Sequence, residues 1–594
     1  MIVPMKKAAI LCETGDAEST VKYVRSLGLL HVEHQNVPSG SDITGLKEQV
    51  SFIRSSIDIL DSATLSGVRN PPQEPIDGDW REISGRLIER AKRRDQLESQ
   101  SRNILGQVRE WESWGDIDQE QVENLKRHEI YLTLYQVPLK EKVNFPADVI
   151  VKTIFTTGDI AHCVTISRRA FDCPFLEVPP PKKGVTALKT EHTEILTSIE
   201  KIQQEICDDS RFREDFIATQ KKIEKEIEFR EVVHGMGREG SICYVTGYIP
   251  YDMEAPLLSE AKRRKWGVLV TDPSDVDEVP TLIRNPRWIS LIKPVLGLLG
   301  LTPGYRELDT SAIFLVFFSI FFGILIGDAG YGLAYLIITL LLQKFVLRKM
   351  IMENPEMKTT ITLFYLLGGC ALVWGLLTGT FFGQTWFLAA GYQPPVPQLN
   401  DTGFMQSFCF FLGALHLSIA HAWNASLKYP SLALFADIGW ICVLWTAFFL
   451  ARTLILGVGF PSFGIWLILA GILLVVLFTH PQRNIFKGIG TGLGAVALSI
   501  VNNFTDVVSY IRLFAVGLAT LAISETTNTL AFEFGDGIVA LVAGVVILIT
   551  GHGLNILLGP MSVLVHGVRL NVLEFSGHAN VIWSGTAYEP LREE

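Results

Sequence analysis

Apolar residues follow two different patterns in the two halves of the chain. Up to about residue 293, short alternating apolar runs are separated by long stretches with helical spacing and many charges. From residue 312 onward, apolar runs of about twenty residues follow one another. Because ~17–25 apolar residues form a helix that spans the hydrocarbon core of a bilayer, the pattern predicts a soluble domain over 1–300 and a transmembrane domain over 301–594.

The soluble half contains two long helical stretches with heptad spacing. Apolar residues recur at intervals of three and four at Ile43, Leu46, Val50, Ile53, Ile57 and Leu60, and again at Ile195, Ile199, Ile202 and Ile206. The segment from Pro71 to Asp79 interrupts the first stretch, which resumes near Ile83 and continues to Trp111. We predict an antiparallel coiled coil. An ordinary helical bundle is the alternative.

Shorter runs predict small α/β lobes near the ends of this coiled coil. The predicted strands are Lys7–Cys12, Leu29–Val32, Tyr131–Val137, His162–Ile166, Ile242–Pro250 and Gly267–Val270. Helical spacing predicts two connecting helices, Ala17–Leu27 and Leu257–Lys265.

The membrane half contains eight apolar runs. They fall at roughly 312–327, 329–347, 359–381, 405–426, 431–451, 464–480, 486–532 and 538–576. Basic residues follow the second, fourth and sixth runs, at Lys344, Arg348, Lys349, Lys358, Lys428, Arg483 and Lys487. The loops after the third and seventh runs carry only acids, at Asp401, Glu533 and Asp536, and Arg452 is the exception. The positive-inside rule then predicts eight spans with both termini in the cytoplasm.

The last two runs are too long for simple spans. About 46 residues at 1.5 Å each would extend roughly 69 Å, against a hydrocarbon core of about 30 Å. We therefore predict that these two helices are long and strongly tilted.

Arg512 lies inside the seventh run, and no other basic residue occurs between Lys487 and Arg569. An arginine near the bilayer centre costs roughly 2.5–3.5 kcal/mol on insertion scales, and it does not lose its proton to escape that cost. At 100° per residue, Arg512 shares one helical face with Asn502, Thr505 and Ser509. A charge retained at this cost indicates function.

The eighth run carries a similar stripe of Asn555, Ser562, His566 and Arg569. Further titratable residues on the two helices are Asp506, Glu525, His552, Glu574 and His578. Hydrogen bonding between helices would explain the Ser, Thr and Asn residues. It does not explain two arginines, so we predict a functional stripe.

The remaining polar residues of the membrane half are weaker candidates. Asp328 follows Gly327 between the first two runs, where a turn and a helix cap are the favoured interpretation. Asp437 either lines a water pathway or forms a structural pair. His416 and His421 are predicted to be hydrogen-bonded between helices rather than to act as ligands.

Composition and motifs exclude several classes of protein. The net charge of −10 argues against nucleic acid as a partner. None of the eight cysteines has CxxC spacing, so neither a zinc site nor a disulfide framework is indicated. Lys6-Lys7 precedes only a short apolar run, which does not resemble a signal peptide.

Without a GxxxxGK[ST] loop the chain is not expected to hydrolyse ATP by itself, and no cofactor is expected. The glycines Gly488, Gly490, Gly492 and Gly494 fit small-xxx-small helix packing better than a nucleotide loop.

Two blocks resemble signatures of subunit a, also called subunit I, of V-type and archaeal A-type rotary ATPases. They are Asp506–Ala519, which contains Arg512, and His566–Phe575, which contains Arg569. Phe322–Gly332, Trp374–Gly383, His416-Leu417 and Gly247–Pro250 are also similar to that family, so the resemblance covers nearly the whole chain. The chain length looks like the prokaryotic form. Eukaryotic members have an acidic residue where this chain has Gly559.

The resemblance implies a stator subunit without an ATP site, which couples proton or sodium translocation to ATP hydrolysis or synthesis. Arg512 and Arg569 would face a carboxylate carried by a ring of proteolipid c subunits (subunit c or K). The half-channels would be lined by Asn502, Thr505, Asp506, Ser509, Glu525, Asn555, Ser562, His566 and Glu574. Further implied partners are peripheral-stalk subunits of the E and G type, a central-stalk cap subunit of the C or d type, and the lipid of the cell membrane.

Two other classes of protein remain as alternatives. One is a secondary ion transporter or channel with a cytosolic regulatory domain, which would transport by itself and commonly shows inverted repeats. The other is a structural membrane scaffold, in which both arginines would be replaceable.

Overall fold

The computed structural model describes the chain except for residues 65–74, 77, 140–145, 147, 172, 349–350, 352–354, 385–390, 479–497, 534–536 and 594. Several sequence predictions lie outside the described residues: the Pro71-Pro72 interruption, the start of the seventh run, Lys349, Arg483, Lys487, Asp536 and the glycines from Gly488 to Gly494. The chain divides into two compact units. Unit 1 contains Met1–Ile10, Leu29–Glu33 and Thr246–Pro590, and unit 2 contains Leu11–Gly28, His34–Val245 and Leu591–Glu594.

The elements before the membrane helices match the predicted alternation of strands and long helices. In chain order they are β1 (Met5–Glu13), α1 (Ala17–Leu27), β2 (His31–Glu33), α2 (Ser41–Thr64), α3 (Trp80–Trp111), α4 (Gln119–Arg127), β3 (Tyr131–Pro138), β4 (Ile150–Thr157), β5 (Ile160–Ser167), β6 (Leu176–Val178), α5 (Val185–Asp209), α6 (Arg213–Gly235), β7 (Gly237–Glu239), β8 (Ile242–Pro250), α7 (Glu254–Arg264), β9 (Gly267–Thr271) and α8 (Lys293–Leu298).

Antiparallel helix pairs form the body of unit 2, as predicted. Ion pairs between α2 and α6 join Lys47 to Glu231 and Asp61 to Arg213, so residue numbers rise on one helix as they fall on the other. Helices α3 and α5 pair in the same way, since Arg90 contacts Asp209 and Lys189 contacts Glu112. The heptad residues Ile53, Leu60 and Ile206 are fully buried in the seam. Burial of this apolar stripe stabilises the paired helices.

A four-stranded antiparallel sheet in the order β4-β5-β3-β6 adds the α/β part of unit 2. Sequence reading predicted β3 and β5 but missed β4, β6 and helix α4. Strand β4 is mostly exposed and β6 has three residues, so neither carries the apolar alternation that marks a half-buried strand.

Unit 1 begins with a sheet in the order β2-β8-β1-β9. Strand β2 pairs antiparallel with β8, with His31 opposite Tyr248 and Val32 opposite Gly247. A Cβ at Gly247 would lie 2.1 Å from the carbonyl oxygen of His31, so only glycine permits this close pairing. The Gly247–Pro250 segment noted in the sequence therefore has a structural role.

The apolar helices of unit 1 correspond to the predicted runs. They are α9 (Ser311–Ile326), α10 (Ala329–Leu341, prolonged by π-type turns to Val346), α11 (Pro355–Thr378), α12 (Thr402–Lys428), α13 (Leu434–Leu456), α14 (Phe463–Phe478), α15 (Leu498–Phe532) and α16 (Ile538–Ala579).

Six helices among the described residues are long and apolar enough to cross a membrane: α10, with its extension, α11, α12, α13, α15 and α16. Helices α9 and α14 have 16 residues each, just below the usual spanning length. Helix α14 adjoins the segment 479–497, which lies outside the described residues. The polytopic architecture is confirmed, whereas the count of eight spans remains a prediction.

Close helix packing organises the membrane core. A Cβ at Gly332 in α10 would lie 2.3 Å from the backbone nitrogen of Leu372, and one at Gly375 in α11 would lie 1.9 Å from that of Ala329. Helices α10 and α11 therefore touch through their backbones, as small residues allow in membranes. Beside them α9 buries a row of phenylalanines, and Phe321 is fully enclosed.

Candidate functional site

Tyr510 anchors the helix that carries Arg512. The helical hydrogen bonding of α15 is broken at Tyr510 by a turn, where Tyr510 bonds to Val507 and Leu513 bonds to Tyr510. The Tyr510 side chain is fully buried, and its hydroxyl lies 2.8 Å from Nδ1 of His416 in α12. A Cβ at Gly413 would lie 2.7 Å from the tyrosine ring, so the glycine makes room for it. The predicted bond of His416 between helices is confirmed.

Helix α16 changes its winding at the second arginine. Residues Val563–Gly567 and Leu570–Phe575 form π-helical turns, in which each bond spans one residue more than in an α-helix. Arg569 lies between the two turns and Glu574 within the second. Asn571 stabilises the widened turn by donating to the carbonyl of Gly567 at 2.9 Å. Turns of this kind often occur at functional sites because they redirect side chains.

Arg512, Arg569 and Glu574 meet and are called the arginine cluster below. Oε1 of Glu574 lies 3.6 Å from Nε of Arg569 and 4.0 Å from Nη1 of Arg512. The Glu574 side chain is 5% exposed, that of Arg512 22% and that of Arg569 52%. Among the residues that the structure describes, Nη1 of Arg512 and Oε2 of Glu574 are buried without a hydrogen-bond partner. One carboxylate thus faces two cations, and the pairing is incomplete.

The predicted stripe on α15 lies on an open side of the helix. Asn502 and Thr505 are exposed, and Ser509 and Arg512 are partly exposed. Glu525, further along the helix, is also exposed. Among the residues that the structure describes, nothing covers this polar face.

The predicted stripe on α16 does not form one face. Asn555 is buried, Ser562 and His566 are half-buried, and Arg569 is exposed. The helical wheel assumed 100° per residue throughout, and the π-helical turns at Val563–Gly567 and Leu570–Phe575 change that angle around His566 and Arg569. The stripe is therefore split into an inward-facing and an outward-facing part.

Asn555 belongs to the Tyr331 network, a set of side chains that comprises Tyr331, Ser524, Asn528, His552 and Asn555. The Tyr331 hydroxyl lies 2.7 Å from Nδ1 of His552 and 3.1 Å from Oγ of Ser524, and it accepts from Asn555 at 2.9 Å. Nε2 of His552 contacts Asn528 at 3.1 Å, and Asn528 in turn donates to the carbonyl of Phe382. This network joins α10, α15 and α16.

Asp328 caps helix α10, as predicted. Its Oδ1 accepts from the backbone nitrogens of Gly330, Tyr331 and Phe382, and its Oδ2 accepts from that of Gly383. The side chain is buried, and all four bonds are between 2.7 and 3.1 Å. Asp328 is thus a structural residue that joins the start of α10 to the end of the α11 segment.

A second row of titratable residues, called the histidine chain, comprises Asp437, His421, His578 and Asp506. His421 Nδ1 lies 3.4 Å from Oδ1 of Asp437, and its Nε2 lies 2.9 Å from Nδ1 of His578. Nε2 of His578 then lies 3.1 Å from Oδ2 of Asp506. Lys428 completes the row with a 2.7 Å contact to the other oxygen of Asp437.

Sequence reasoning named all of these residues but did not join them. His578 and Asp506 are 72 positions apart, and His421 and His578 are 157 apart. A single sequence contains no signal for such pairings. Of the two interpretations of Asp437, the structural pair with Lys428 and His421 is observed.

The structure also describes the surroundings of Gly559 and the grouping of potential metal ligands. A Cβ at Gly559 would lie 2.6 Å from both Cδ1 of Ile326 and the Tyr335 hydroxyl, so a larger side chain there would require these groups to shift. Among the described residues, no group of three or more His, Cys, Asp or Glu is arranged to hold a metal ion.

Comparison with known proteins gives full-length relatives. The chain is 29% identical to V-type ATP synthase subunit I 1 of Treponema pallidum and 28% identical to V-type ATP synthase subunit I of Borreliella burgdorferi, in both cases over 100% of each chain. A crystal structure of the cytoplasmic N-terminal domain of subunit I, homolog of subunit a, of V-ATPase aligns with 45% of this chain and 99% of that one, at 13% identity. Its TM-score of 0.22 is too low to support an argument. No family model matches the chain.

Proposed function

Because the chain is homologous over its full length to V-type ATP synthase subunit I, we propose that it is the stator membrane subunit of a rotary ATPase. In this proposal it forms two ion half-channels against a ring of proteolipid subunits. It thereby couples the movement of protons or sodium ions to ATP hydrolysis or synthesis elsewhere in the complex.

The arginine cluster is the observation that carries the proposal. Two guanidinium groups share one carboxylate, so the cluster keeps an excess positive charge on apolar helices. Charge in such surroundings is costly unless a partner neutralises it. Arg569 is half exposed and the neighbouring α15 face is open. A carboxylate presented from outside this chain fits that opening.

A rotor carboxylate provides such a partner and explains why the charge must be fixed. The carboxylate crosses lipid only when it is neutral or holds an ion, because a bare charge there is expensive. Beside Arg512 the ionised form is favoured, so the ion is released into one half-channel. The carboxylate reloads from the other half-channel after it has passed. Each elementary charge moved works against about 2.3 kcal/mol per 100 mV.

The remaining parts of the chain have matching proposed roles. The antiparallel helix pairs of unit 2 would connect to peripheral-stalk subunits of the E and G type. A cap subunit of the C or d type would couple the ring to the central stalk. Residues 1–300 would lie in the cytoplasm with both termini. Residues 301–594 would lie in the cell membrane, where Asn502, Thr505, Asp506, Ser509, Glu525, Ser562 and His566 would line the half-channels.

Replacement of Arg512 tests the proposal. In the complete complex in sealed vesicles, Arg512→Ala and Arg512→Lys should abolish ATP-driven ion pumping while the soluble head continues to hydrolyse ATP. Lysine should fail because a compact ammonium does not reproduce the planar, permanently charged guanidinium. The matched control is Arg452→Ala, which removes another arginine from a membrane helix, where it lies over the Phe448 ring at 5.6 Å. Normal pumping by Arg512→Ala would refute the proposal.

A further inference from the structure

The histidine chain is continuous and has one buried and one partly open end. His421 and His578 are at most 9% exposed, and Asp437 is 3% exposed. Asp506 at the far end has a side chain that is 31% exposed. At the near end the Lys428 side chain is 42% exposed. Four side chains from α12, α13, α15 and α16 thus link the surface near Lys428 to the open side of α15.

The two ends lie where a half-channel needs them. Asp506 precedes Arg512 by six residues on α15, which corresponds to about 9 Å along a helix. Asp506 directly follows Thr505, which lies on the exposed polar face of α15. Asp437 is in the first turn of α13, beside the Lys428 loop that the positive-inside rule places in the cytoplasm. The chain therefore leads from the cytoplasmic side toward the arginine cluster.

We propose that the histidine chain is a proton relay that serves the cytoplasmic half-channel, and that the transported ion is the proton. This inference rests on the proposed stator function. It assigns His421 and His578, which were not among the predicted channel residues, as groups that carry the ion.

The contacts allow a balanced proton transfer. A proton on Oδ1 of Asp437 passes to Nδ1 of His421, and His421 releases its Nε2 proton to Nδ1 of His578. His578 then releases its Nε2 proton to Oδ2 of Asp506. One proton enters and one leaves, and each imidazole ends with its proton on Nδ1 instead of Nε2. The starting tautomer returns when the ring loses its Nδ1 proton and regains one at Nε2. Lys428 acts as a positioning residue, because it holds one oxygen of Asp437 and leaves the other facing His421.

The same contacts do not suit sodium. A hard cation such as Na⁺ binds through several oxygen ligands. The central link of the chain joins two imidazole nitrogens 2.9 Å apart, and Asn424 donates to the carbonyl of His578 beside it. A proton can pass along such a hydrogen bond, whereas a metal ion has neither the ligands nor the space.

The test compares isosteric variants in the complete complex in vesicles. His421→Gln and His578→Gln retain a hydrogen-bonding side chain but cannot accept and release a proton in turn. We expect ATP-driven acidification to fall at least tenfold in each, with the ring and head subunits still co-purifying. Trp440→Phe is the packing control, because Trp440 stacks on His421 at 6.5 Å between ring centroids and keeps an aromatic ring when replaced. It should pump normally.

Two measurements distinguish the relay from structural pairing. Imidazole added to His578→Gly should restore pumping several-fold, and the rescue should vary with the pKa of the substituted imidazole that is added, which a purely structural histidine would not produce. The wild-type complex, for which no variant has to assemble, should pump in sodium-free buffer and slow at least twofold in D₂O when proton supply is limiting. Wild-type pumping rates in both glutamine variants, or an absolute sodium requirement, would overturn the relay. If those variants pump normally while Arg512→Ala does not, only the relay fails, and the stator function stands.

Discussion

The Tyr331 network and the arginine cluster both place polar groups on α15 and α16, but they differ in how far those groups are hydrogen-bonded within the chain. In the network, hydrogen bonds connect Tyr331, Ser524, Asn528, His552 and Asn555 inside the chain. In the cluster, Glu574 contacts Arg569 at 3.6 Å and Arg512 at 4.0 Å, both longer than a hydrogen bond. The completed set is suited to holding helices together. The incomplete set is suited to a partner that arrives from outside.

The largest expected effect concerns the carboxylate of the cluster. Glu574→Gln should reduce ATP-driven pumping by more than tenfold, because Arg512 and Arg569 then face each other without a counter-charge. The measurement is vesicle acidification normalised to co-purified ring subunit. Glu533→Gln, which changes an exposed acid at the end of α15, is the control and should pump normally. Equal pumping by both variants would show that the cluster does not act as a unit.

The second effect concerns stability rather than transport. Asp328→Ala leaves four backbone N–H groups of the buried cap without their acceptor. Since a buried hydrogen bond to a charged group contributes about 1.5–3 kcal/mol, and bonds that share one acceptor group do not add, we expect a loss of roughly 3 kcal/mol or more. The matched variant is Asp401→Ala, which removes the exposed cap of α12 with one bond to Phe404. Its expected cost is about 1 kcal/mol. Titration of the detergent-solubilised protein with a denaturing detergent measures both, and equal losses would contradict the difference in burial.

A smaller loss is expected at the hub of the network. Tyr331→Phe removes the hydroxyl shared by His552, Ser524 and Asn555 and should cost about 1–3 kcal/mol, because Ser524 and Asn555 stay buried. Tyr365→Phe removes an exposed hydroxyl that donates to Gln343 at 2.7 Å and should change stability by less than about 0.5 kcal/mol. The same denaturation assay compares them. If Tyr331→Phe proves neutral, the network does not hold the helices.

The smallest effect on stability is expected on the open face of α15. Asn502→Ala and Thr505→Val alter exposed side chains and should change the free energy of unfolding by less than about 0.5 kcal/mol. If this face lines a half-channel, the same variants should still lower the pumping rate. Denaturation and acidification measured on one preparation separate the two outcomes. Destabilisation by more than 1 kcal/mol would indicate that the face is packed in the isolated chain.

Features that depend on local pattern were predictable from sequence. The heptad residues Ile53 and Ile206, the apolar runs and the isolated Arg512 all stand out within short windows of the chain. The Asp328 cap was predictable for the same reason, since Asp followed by a helical run is a local signal.

Features that depend on distant contacts or on altered geometry were not predictable. Tyr331, Ser524 and Asn555 meet only because three helices converge. Asn555 was noted as part of a polar stripe, but its segment contains no signal for its two partners. The π-helical turns around Arg569 break the constant angle on which a helical wheel relies. The link between His421 and His578 needs the packed structure.

The strand order β2-β8-β1-β9 also determines when the sheet can form during synthesis of the chain. Strand β1 ends at Glu13, and its neighbours β8 and β9 begin at Ile242 and Gly267, about 230 and 250 residues later. At roughly 5–20 residues per second, the ribosome needs on the order of 10 to 50 seconds to make them. During that interval the first strand has no partner on either edge, while the intervening helices of unit 2 can already pair. The sheet closes only after β9 has been made, and until then β1 presents two unpaired edges, which can act as a template for pairing with other chains.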